Sequence, residues 1–394
     1  MKRITEFEAL RGLMALWVVV GHVLRETGYD SPGALPHFSF LARPGLAVDV
    51  FIMLSGFVIF NLLDQQHEDW LSFVTRRFFR LYPLYLVVLI VSAILSPLYP
   101  VYLHMLPIQG EAVRILETLA HQTNAALLPH FLVHLTMLHG LVPNSILAPS
   151  SLAIVRQAWS ISVEWQFYLV APLLFFLLRD RPWMFALAVA GVVAIHTRYW
   201  LDVGFAINQG GFFLIGIASY FVYRRLQALH LETAHIVIAG LAAIAAAAYF
   251  TRDPLPFAIW WIFLCAAVLS QQGIRNPFSL FCDSAACQTM GRISYSIYLC
   301  HVLVLSGISY SILRFAGYTS RPVFAIETLT ATVAVTIAVS FVTFRLIEAP
   351  CIALGAKIRP KPKFAPSQAD TPIPDSIPST PTLLLDQASA KTFY

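Results

Sequence analysis

The amino-acid sequence predicts an all-α protein, a polytopic membrane bundle of about ten transmembrane helices with both termini in the cytoplasm. Apolar residues make up 58% of the 394 residues and charged residues only 12%, a composition far from that of a soluble globular domain. Apolar stretches of roughly 20 residues, enough to cross a hydrocarbon core about 30 Å thick, recur along nearly the whole chain. Runs such as 236–250 are apolar on every face, which favours helices over the alternating pattern of transmembrane strands.

The predicted spans follow one another with mostly short connections and show no obvious internal repeat. Most Lys and Arg residues fall on the side of the N-terminus, which the positive-inside rule assigns to the cytoplasm. With an even number of spans, the C-terminus lies on the same side. The spans are expected near residues 8–25, 46–63, 79–97, 161–179, 183–200, 208–224, 234–250, 256–272, 293–315 and 325–347.

Residues 1–356 are therefore predicted to form one transmembrane domain. Residues 357–394 are rich in Pro, Ser and Thr, which predicts a disordered cytoplasmic tail. The longest connection, 97–159, is expected outside, where an amphipathic piece around 127–141 lies at the interface or re-enters the bundle. Cytoplasmic basic residues explain the pI near 9.0, so the lipid bilayer is the expected partner and no nucleic acid is implied.

No metal site is predicted. His130 and His134, four residues apart, could hold a metal ion, but the sequence offers no nearby carboxylate or water-activating pattern. Cys282 and Cys287 also lack nearby metal ligands and fall on the reducing side of the membrane. We therefore interpret them as inert thiols, neither a zinc site nor a disulfide.

The first span carries two ionisable residues, Arg11 and His22. Such side chains are costly inside a bilayer and usually face the interior of the bundle. Eleven residues at about 100° each return to nearly the same helix face, about 16 Å further along the axis. One face therefore carries a guanidinium near the cytoplasmic end and an imidazole in the outer half. The alternative is that Arg11 snorkels to the inner headgroups and His22 is a hydrogen-bonded core histidine.

Two carboxylates, Asp49 and Glu164, lie near the outer ends of the second and fourth spans. Counting residues along the helices places both at the depth of His22. A carboxylate beside an imidazole can orient it for deprotonating a hydroxyl nucleophile. We therefore predict a catalytic group of His22 with Glu164 or Asp49. For either carboxylate, the alternative is simple hydration at the membrane interface.

Three arginines, Arg76, Arg77 and Arg80, open the predicted third span on the cytoplasmic side. Guanidinium groups suit bidentate binding of phosphate oxygens, and nucleotides and coenzyme A occur in that compartment. We predict that these side chains bind the phosphates of a donor. They could instead be only a topology signal that also binds anionic headgroups.

Three further ionisable residues lie in or directly beside the last two predicted spans. His301 lies near mid-membrane, and Glu348 with Arg345 closes the last span. His301 could contact substrate or only hydrogen-bond a neighbouring helix. Arg345 and Glu348 could form only an interfacial ion pair.

Taken together and in order, these motifs resemble those of the acyltransferase-3 family of integral membrane acyltransferases. The resemblance covers residues 5–352. Glu8 stands where an aspartate is common, and Ala349 stands where arginine is frequent, so no role is expected at that last position. The motifs are Glu8-Ala9-Leu10-Arg11-Gly12 with His22, the segment 48–57 with Asp49 and Ser55, Arg76-Arg77 with Arg80 and Pro83, Trp159-Ser160 with Glu164 and Phe167-Tyr168, the segment 294–299 with His301, and Glu348-Ala349-Pro350.

The resemblance implies transfer of an acyl group, acetyl by family default, from cytoplasmic acyl-CoA to a hydroxyl, with His22 as the required histidine. Acyl-CoA is a donor substrate here, and no permanently bound cofactor is implied. Arg11 would hold the donor or stabilise charge on the thioester oxygen. Further roles in substrate binding or structure are expected for a second group of residues. These are Ser55, Trp159, Tyr168, His301 and Glu348.

The implied acceptor is an extracytoplasmic or lipid-linked saccharide, such as polysaccharide or lipopolysaccharide, or a small hydroxylated metabolite. The implied location is the inner, cytoplasmic membrane. A transporter or flippase of a lipid-linked saccharide or small metabolite could use the same intramembrane charges to line a pathway, and a sensor or scaffold could merely retain the fold. The absence of an obvious repeat and the complete motif set favour the enzyme.

Overall fold

A computed structural model of the chain describes residues 4–30, 33–66, 68–108, 110–198, 201–228, 253–274 and 276–357. These residues are mostly helical, and no strand occurs among them. The α-helices are α1 Thr5–Glu26, α2 Pro44–Gln66, α3 Trp70–Leu95, α4 Tyr99–Met105, α5 Glu111–Ala125, α6 Leu127–His134, α7 Trp159–Leu178, α8 Pro182–Arg198, α9 Gly210–Ala228, α10 Leu255–Gln271, α11 Pro277–Cys282, α12 Ala285–Ser311, α13 Arg321–Thr343 and α14 Ala349–Lys357.

The protein is a multi-pass membrane protein. Two shorter apolar helices, Trp183–His196 and Leu255–Gln271, coincide with predicted spans. The predicted span 234–250 and the predicted tail after residue 357 lie outside the described residues. A total of ten spans and cytoplasmic termini therefore stay predictions. Within the described ranges, seven helical segments are long and apolar enough to cross a membrane: Thr5–Glu26, Pro44–Gln66, Trp70–Met105, Arg156–Leu178, Ala206–Leu226, Ala285–Ala316 and Arg321–Lys357.

The third span starts earlier than the hydropathy pattern predicted. Helix α3 begins at Trp70, and Asp69 caps it by accepting hydrogen bonds from the Ser72 backbone N (2.7 Å) and Oγ (2.8 Å). These bonds stabilise the carboxylate and lower the pKa of Asp69. Hydropathy detects where apolar residues begin, whereas the cap decides where the helix begins. The three arginines therefore lie two to three turns inside the helix and not at its start.

Glycines allow the central helices to approach closely. A Cβ added at Gly291 of α12 would lie 2.2 Å from the Glu8 carbonyl oxygen, and one at Gly12 of α1 would lie 2.8 Å from the Gly291 backbone N. A Cβ at Gly216 of α9 would lie 1.9 Å from the Met53 carbonyl oxygen of α2. Small residues at such contacts let backbones pack directly, which is how membrane helices gain packing energy. Helix α1 thereby packs directly against α12, and α2 packs directly against α9.

Candidate active site

A cavity of about 80 Å³ collects several of the predicted motif residues. Helices α1, α2, α3, α7 and α12 all contribute side chains to its wall. Residues distant in sequence therefore meet at one polar site inside an apolar bundle. The polar side chains are Arg11, Ser55, Arg77, Arg80, Ser160, Glu164, Tyr168, Ser294, Tyr295 and Tyr298.

Glu164 is the carboxylate of this cavity. Its Oε1 accepts a hydrogen bond from Ser55 Oγ at 3.4 Å and another from the Tyr168 hydroxyl, one helical turn further along α7. The Arg77 guanidinium lies over the Tyr168 ring, with Cζ 5.6 Å from the ring centroid. Glu164 therefore shares its surroundings with the arginines of α3.

Arg77 and Arg80 keep hydrogen-bonding capacity in the cavity. Arg77 also lies over the Phe73 ring at 5.5 Å, and its buried Nε has no hydrogen-bond partner among the described residues. Arg80 forms no hydrogen bond or ion pair with the described residues, although Glu164 and Glu348 interact with it electrostatically. Guanidinium donors without partners inside a bundle suit an anionic or strongly polar ligand.

Arg76 lies in a different setting from its two neighbours. Its Nη2 donates to Gln66 Oε1 at 2.9 Å and forms an ion pair with Glu68. Gln66 is the last residue of α2 and Glu68 lies in the connection to α3, and Arg76 is not among the residues that line the cavity. Of the three predicted arginines, Arg77 and Arg80 therefore line the cavity, whereas Arg76 binds residues at the end of α2 and in the connection to α3.

Arg11 lines the same cavity from α1. Its Nη1 pairs with Glu8 Oε1 at 3.5 Å, and only 19% of the Arg11 side chain is exposed. The alternative in which Arg11 snorkels to the headgroups is therefore not the arrangement found.

His22 lies near the opposite end of α1, beside His301 of α12. The two ring centroids are 5.1 Å apart, with the ring planes tilted by 43°. His301 Nδ1 lies 2.6 Å from the Tyr298 carbonyl oxygen. Because a carbonyl only accepts, this Nδ1 carries the proton and Nε2 keeps a lone pair. That Nε2 is buried and has no hydrogen-bond partner in the described ranges.

The predicted pairing of His22 with Glu164 or Asp49 needs correction. Glu164 bonds to Ser55 and Tyr168, as described above, and neither carboxylate forms a hydrogen bond or ion pair with His22 in the described residues. Asp49 lies near Arg43 and Asp253, which form an ion pair at 2.5 Å. Residue counting gives depth along each helix but not the face that a side chain occupies, so groups at equal depth can point to different neighbours.

Tyr298 connects two parts of the site, a role that the sequence motif alone did not reveal. One is the cavity lined by Arg77 and Arg80, here called the arginine cavity, and the other is the histidine pair, His22 with His301. Its hydroxyl lies 2.6 Å from Ser160 Oγ in the cavity and donates to the Gln157 carbonyl oxygen at 2.8 Å. Its ring centroid is 6.0 Å from that of His301. The available signal was helical spacing, since Tyr298 and His301 stand three residues apart on one face of α12.

Glu348 is a buried carboxylate of the last predicted span. It is 3% exposed and accepts a hydrogen bond from Ser296 Oγ at 2.9 Å. Arg345 is exposed, and no ion pair joins it to Glu348 in the described chain, so the interfacial pair is not formed. Arg80 and Arg11 are the cations that interact electrostatically with Glu348. Trp159, the first residue of α7, packs against the core and is not part of the cavity wall.

The histidines of the connection between α3 and α7 form a packed group. The rings of His134 and His139 stack with centroids 3.9 Å apart, and both residues are fully buried. Burial lowers the pKa of His134 to about 4 and that of His139 well below its usual range. Among the described residues, no group of three or more His, Cys, Asp or Glu is arranged to hold a metal ion.

Comparisons with known proteins identify the family of the chain. A family model described as "Acyltransferase domain", that of acyltransferase-3, matches residues 4–345. Acyltransferase MdmB of Streptomyces mycarofaciens is 26% identical over 404 aligned positions, which cover 91% of this chain and 94% of that protein. Peptidoglycan O-acetyltransferase OatA of Listeria monocytogenes is 26% identical over 344 positions, covering 77% of this chain but 50% of that protein. No solved structure matches the chain.

A bundle of apolar helices with ionisable groups gathered inside it defines a multi-pass membrane protein with an internal polar site. The chain belongs to the acyltransferase-3 family, because the family model covers most of its length. It is an O-acyltransferase, which confirms the resemblance that the sequence motifs indicated.

Proposed function

We propose that this enzyme transfers an acyl group, expected to be acetyl, from cytoplasmic acyl-CoA to a hydroxyl of an extracytoplasmic or lipid-linked saccharide at the inner membrane. One observation carries the proposal. The cavity is lined by Arg80 and by Arg77, whose buried Nε has no hydrogen-bond partner among the described residues, and it is connected through Tyr298 to the His22 and His301 rings. A site for a charged donor and a candidate base are thereby adjacent in one bundle.

The donor would bind first through its charged or polar end. Arg77 and Arg80 offer guanidinium donors for phosphate oxygens, and Arg11 adds a third cation to the same cavity. A cavity of about 80 Å³ is far smaller than the roughly 300–1,000 Å³ that encloses a drug-sized ligand. It therefore suits one phosphate group or the thioester end, with the rest of coenzyme A extending towards the cytoplasm. Glu164 would balance the charge and hold Tyr168 in place.

The acyl transfer itself would use His22 as general base. The imidazole takes the proton of the acceptor hydroxyl, and the hydroxyl oxygen attacks the thioester carbonyl. The carbon–sulfur bond then breaks, and the coenzyme A thiolate leaves and receives the proton. His301 Nε2, which has no partner among the described residues, is the group available to orient the His22 ring. The sequence predicts that role for Glu164 or Asp49.

Arg11 and His22 are about 16 Å apart along α1, and the acyl group can cross that distance by two routes. Either the donor's arm extends to His22 and the hydroxyl attacks the thioester directly, or His22 carries the acyl group as a covalent intermediate. Both routes require the same histidine. They differ in whether an acylated His22 accumulates when the acceptor is withheld.

A saccharide acceptor is supported by the relative named peptidoglycan O-acetyltransferase. The direct test is mass spectrometry of surface glycans from cells with the protein, without it, and with His22→Gln. An acyl-sized mass difference that requires the protein and His22 supports the proposal. His121→Gln, an exposed histidine on α5, is the matched control. Identical glycan masses in all four samples, with acyl-CoA left unconsumed in membranes, would overturn it.

A further inference from the structure

A second and larger cavity, of about 360 Å³, lies beside the C-terminal end of α1. Side chains from the end of α3, from α4, α5 and α12 and from the connection before α7 form its wall. Most of these side chains are apolar. The lining includes Leu95, Leu98, Val101, Leu116, Leu119 and Leu303. Its volume falls in the range of roughly 300–1,000 Å³ that holds small organic molecules.

The charge of this cavity is already neutralised. Arg156 is the one charged residue among the described residues that line it, and its Nη2 pairs with Glu26 Oε1 at 3.2 Å. Tyr102 donates a hydrogen bond of 2.5 Å to the other oxygen of Glu26, and the Arg156 Cζ lies 5.0 Å from the Tyr99 ring centroid. A buried guanidinium with a carboxylate partner leaves little attraction for an anion. The cavity therefore suits an uncharged ligand, unlike the cavity of Arg77 and Arg80.

Three polar atoms of the lining residues have no partner within the described part of the chain. They are Gln157 Oε1, the Tyr99 hydroxyl and Ser306 Oγ, all buried. Gln157 is 4% exposed, and its Nε2 donates to the Leu299 carbonyl oxygen at 2.7 Å, which fixes the amide. Buried polar atoms without partners are costly, and one acceptor with two hydroxyls complements the hydroxyl groups of a ligand.

The larger cavity also lies next to the proposed base. Glu26, which holds Arg156 at the cavity, is four residues after His22 and on the same face of α1. Val302, which lines the cavity, follows His301 directly. Gln157 contributes its side chain to this cavity while its carbonyl oxygen accepts from Tyr298 of the arginine cavity. The histidine pair thus lies between the arginine cavity on one side and the larger cavity on the other.

We propose that the larger cavity binds the acceptor, and that the acceptor is an uncharged amphiphile with a mainly hydrocarbon body and at least one hydroxyl. The apolar body would lie among the leucines, and the hydroxyl would reach Gln157 and the His22 side. The acceptor role rests on the proposed function. Within the proposed function, this inference narrows the acceptor to a neutral lipid-linked sugar. It excludes free polysaccharide, which would leave its many hydroxyls without partners against apolar side chains.

The binding test uses octyl glucoside with a diazirine at the end of its alkyl chain, added to the full-length protein in lipid nanodiscs. After illumination, labelled peptides are identified by mass spectrometry. We expect labels on α5 and α12, displaced by unlabelled octyl glucoside and not by glucose. Ala120→Trp fills the cavity from α5, and Ala125→Trp places the same side chain on an exposed position of that helix as the control.

Two further variants keep this test informative. Gly307→Phe fills the cavity from α12 at a position where an added Cβ meets nothing within 4 Å, so it should fold even where Ala120→Trp does not. Gln157→Leu removes the unpartnered acceptor and should weaken octyl glucoside binding about tenfold. The same change should leave labelling by an alkyl diazirine without hydroxyls unchanged, which a general loss of structure would not do.

The results separate this inference from the proposed function. Labelling of the cavity that persists in His22→Gln while acyl transfer is lost supports both. Labelling without any acyl transfer by the unaltered enzyme removes the proposed function and leaves the binding site. Labelling that is equal in the folded filling variant and in Ala125→Trp overturns the inference, as does acylation of free glucose with the same KM as octyl glucoside.

Discussion

The imidazole of His22 packs against that of His301, with the ring centroids 5.1 Å apart. His301 is fixed by its Nδ1 hydrogen bond to the Tyr298 carbonyl oxygen, and its Nε2 has no partner among the described residues. An imidazole with one nitrogen anchored and the other available can orient a second imidazole without adding a charge. The histidine pair, and not a histidine with a carboxylate, is therefore the arrangement to test.

The first prediction concerns His22 itself. His22→Gln should lower kcat by about 10²- to 10⁴-fold, the usual contribution of a general base, without loss of membrane insertion. Release of the coenzyme A thiol from acetyl-CoA by protein in nanodiscs measures this rate. His121→Gln should retain full activity. Near-normal turnover by correctly inserted His22→Gln would remove the proposed mechanism.

The second prediction is energetic coupling between His22 and His301. If His301 acts only by orienting His22, then His301→Gln should slow turnover in the native enzyme and have almost no further effect in His22→Gln, because residues of one catalytic unit are non-additive. A double-mutant cycle on kcat measures the coupling. Rate losses that multiply would show that His301 acts independently of His22.

The third prediction separates Arg77 and Arg80 from other basic residues. Replacing both with Gln should raise the KM for acyl-CoA, and replacing both with Lys should restore only part of the affinity, because an ammonium lacks the planar fork of guanidinium. Arg292→Gln, at an exposed position of α12, is the control. An unchanged KM in the double Gln variant would assign the pair to topology alone.

The fourth prediction follows from the hydrogen bonds of Glu164 to Ser55 and Tyr168. Glu164→Gln keeps the side-chain shape but removes the charge that faces the arginines, so its effect should couple strongly to Arg77→Gln. Its effect should combine independently with that of His22→Gln. Two double-mutant cycles on kcat/KM decide between these partners, and coupling to His22 alone would restore the carboxylate-oriented base.

The fifth prediction concerns pH and the buried histidines of the connection between α3 and α7. The pKa of His134 is lowered to about 4 by burial, from an ordinary value of 6.5, so the unfolded segment binds protons more readily than the folded one. Stability should therefore fall as the pH drops from about 6.5 towards 4. The difference in melting temperature between pH 7 and pH 5 should shrink in His134→Phe and persist in His121→Gln. An equal pH dependence in both variants would contradict the assignment.

Much of the architecture could be predicted because hydropathy is a property of contiguous residues. The segments around Arg11, Glu164 and His301 all lie in apolar helices that overlap the spans predicted for them. The ordered motifs identified the family. The start of α3 was missed because the capping hydrogen bonds of Asp69, and not hydropathy, decide where that helix begins. Depth in the membrane could be counted, whereas the direction of a side chain could not.

By itself the sequence determined that the chain is a helical multi-pass membrane protein of the acyltransferase-3 family, and which ionisable residues to examine. Only the tertiary structure decided how those residues are grouped. It linked Glu164 to Arg77 through Tyr168 and separated Arg76 from the cavity. It also brought His22 to His301, beside the larger cavity. The physical reason is that composition and spacing act along one helix, whereas side-chain partners depend on the rotation and close approach of different helices, set here by contacts such as that between Gly12 and Gly291.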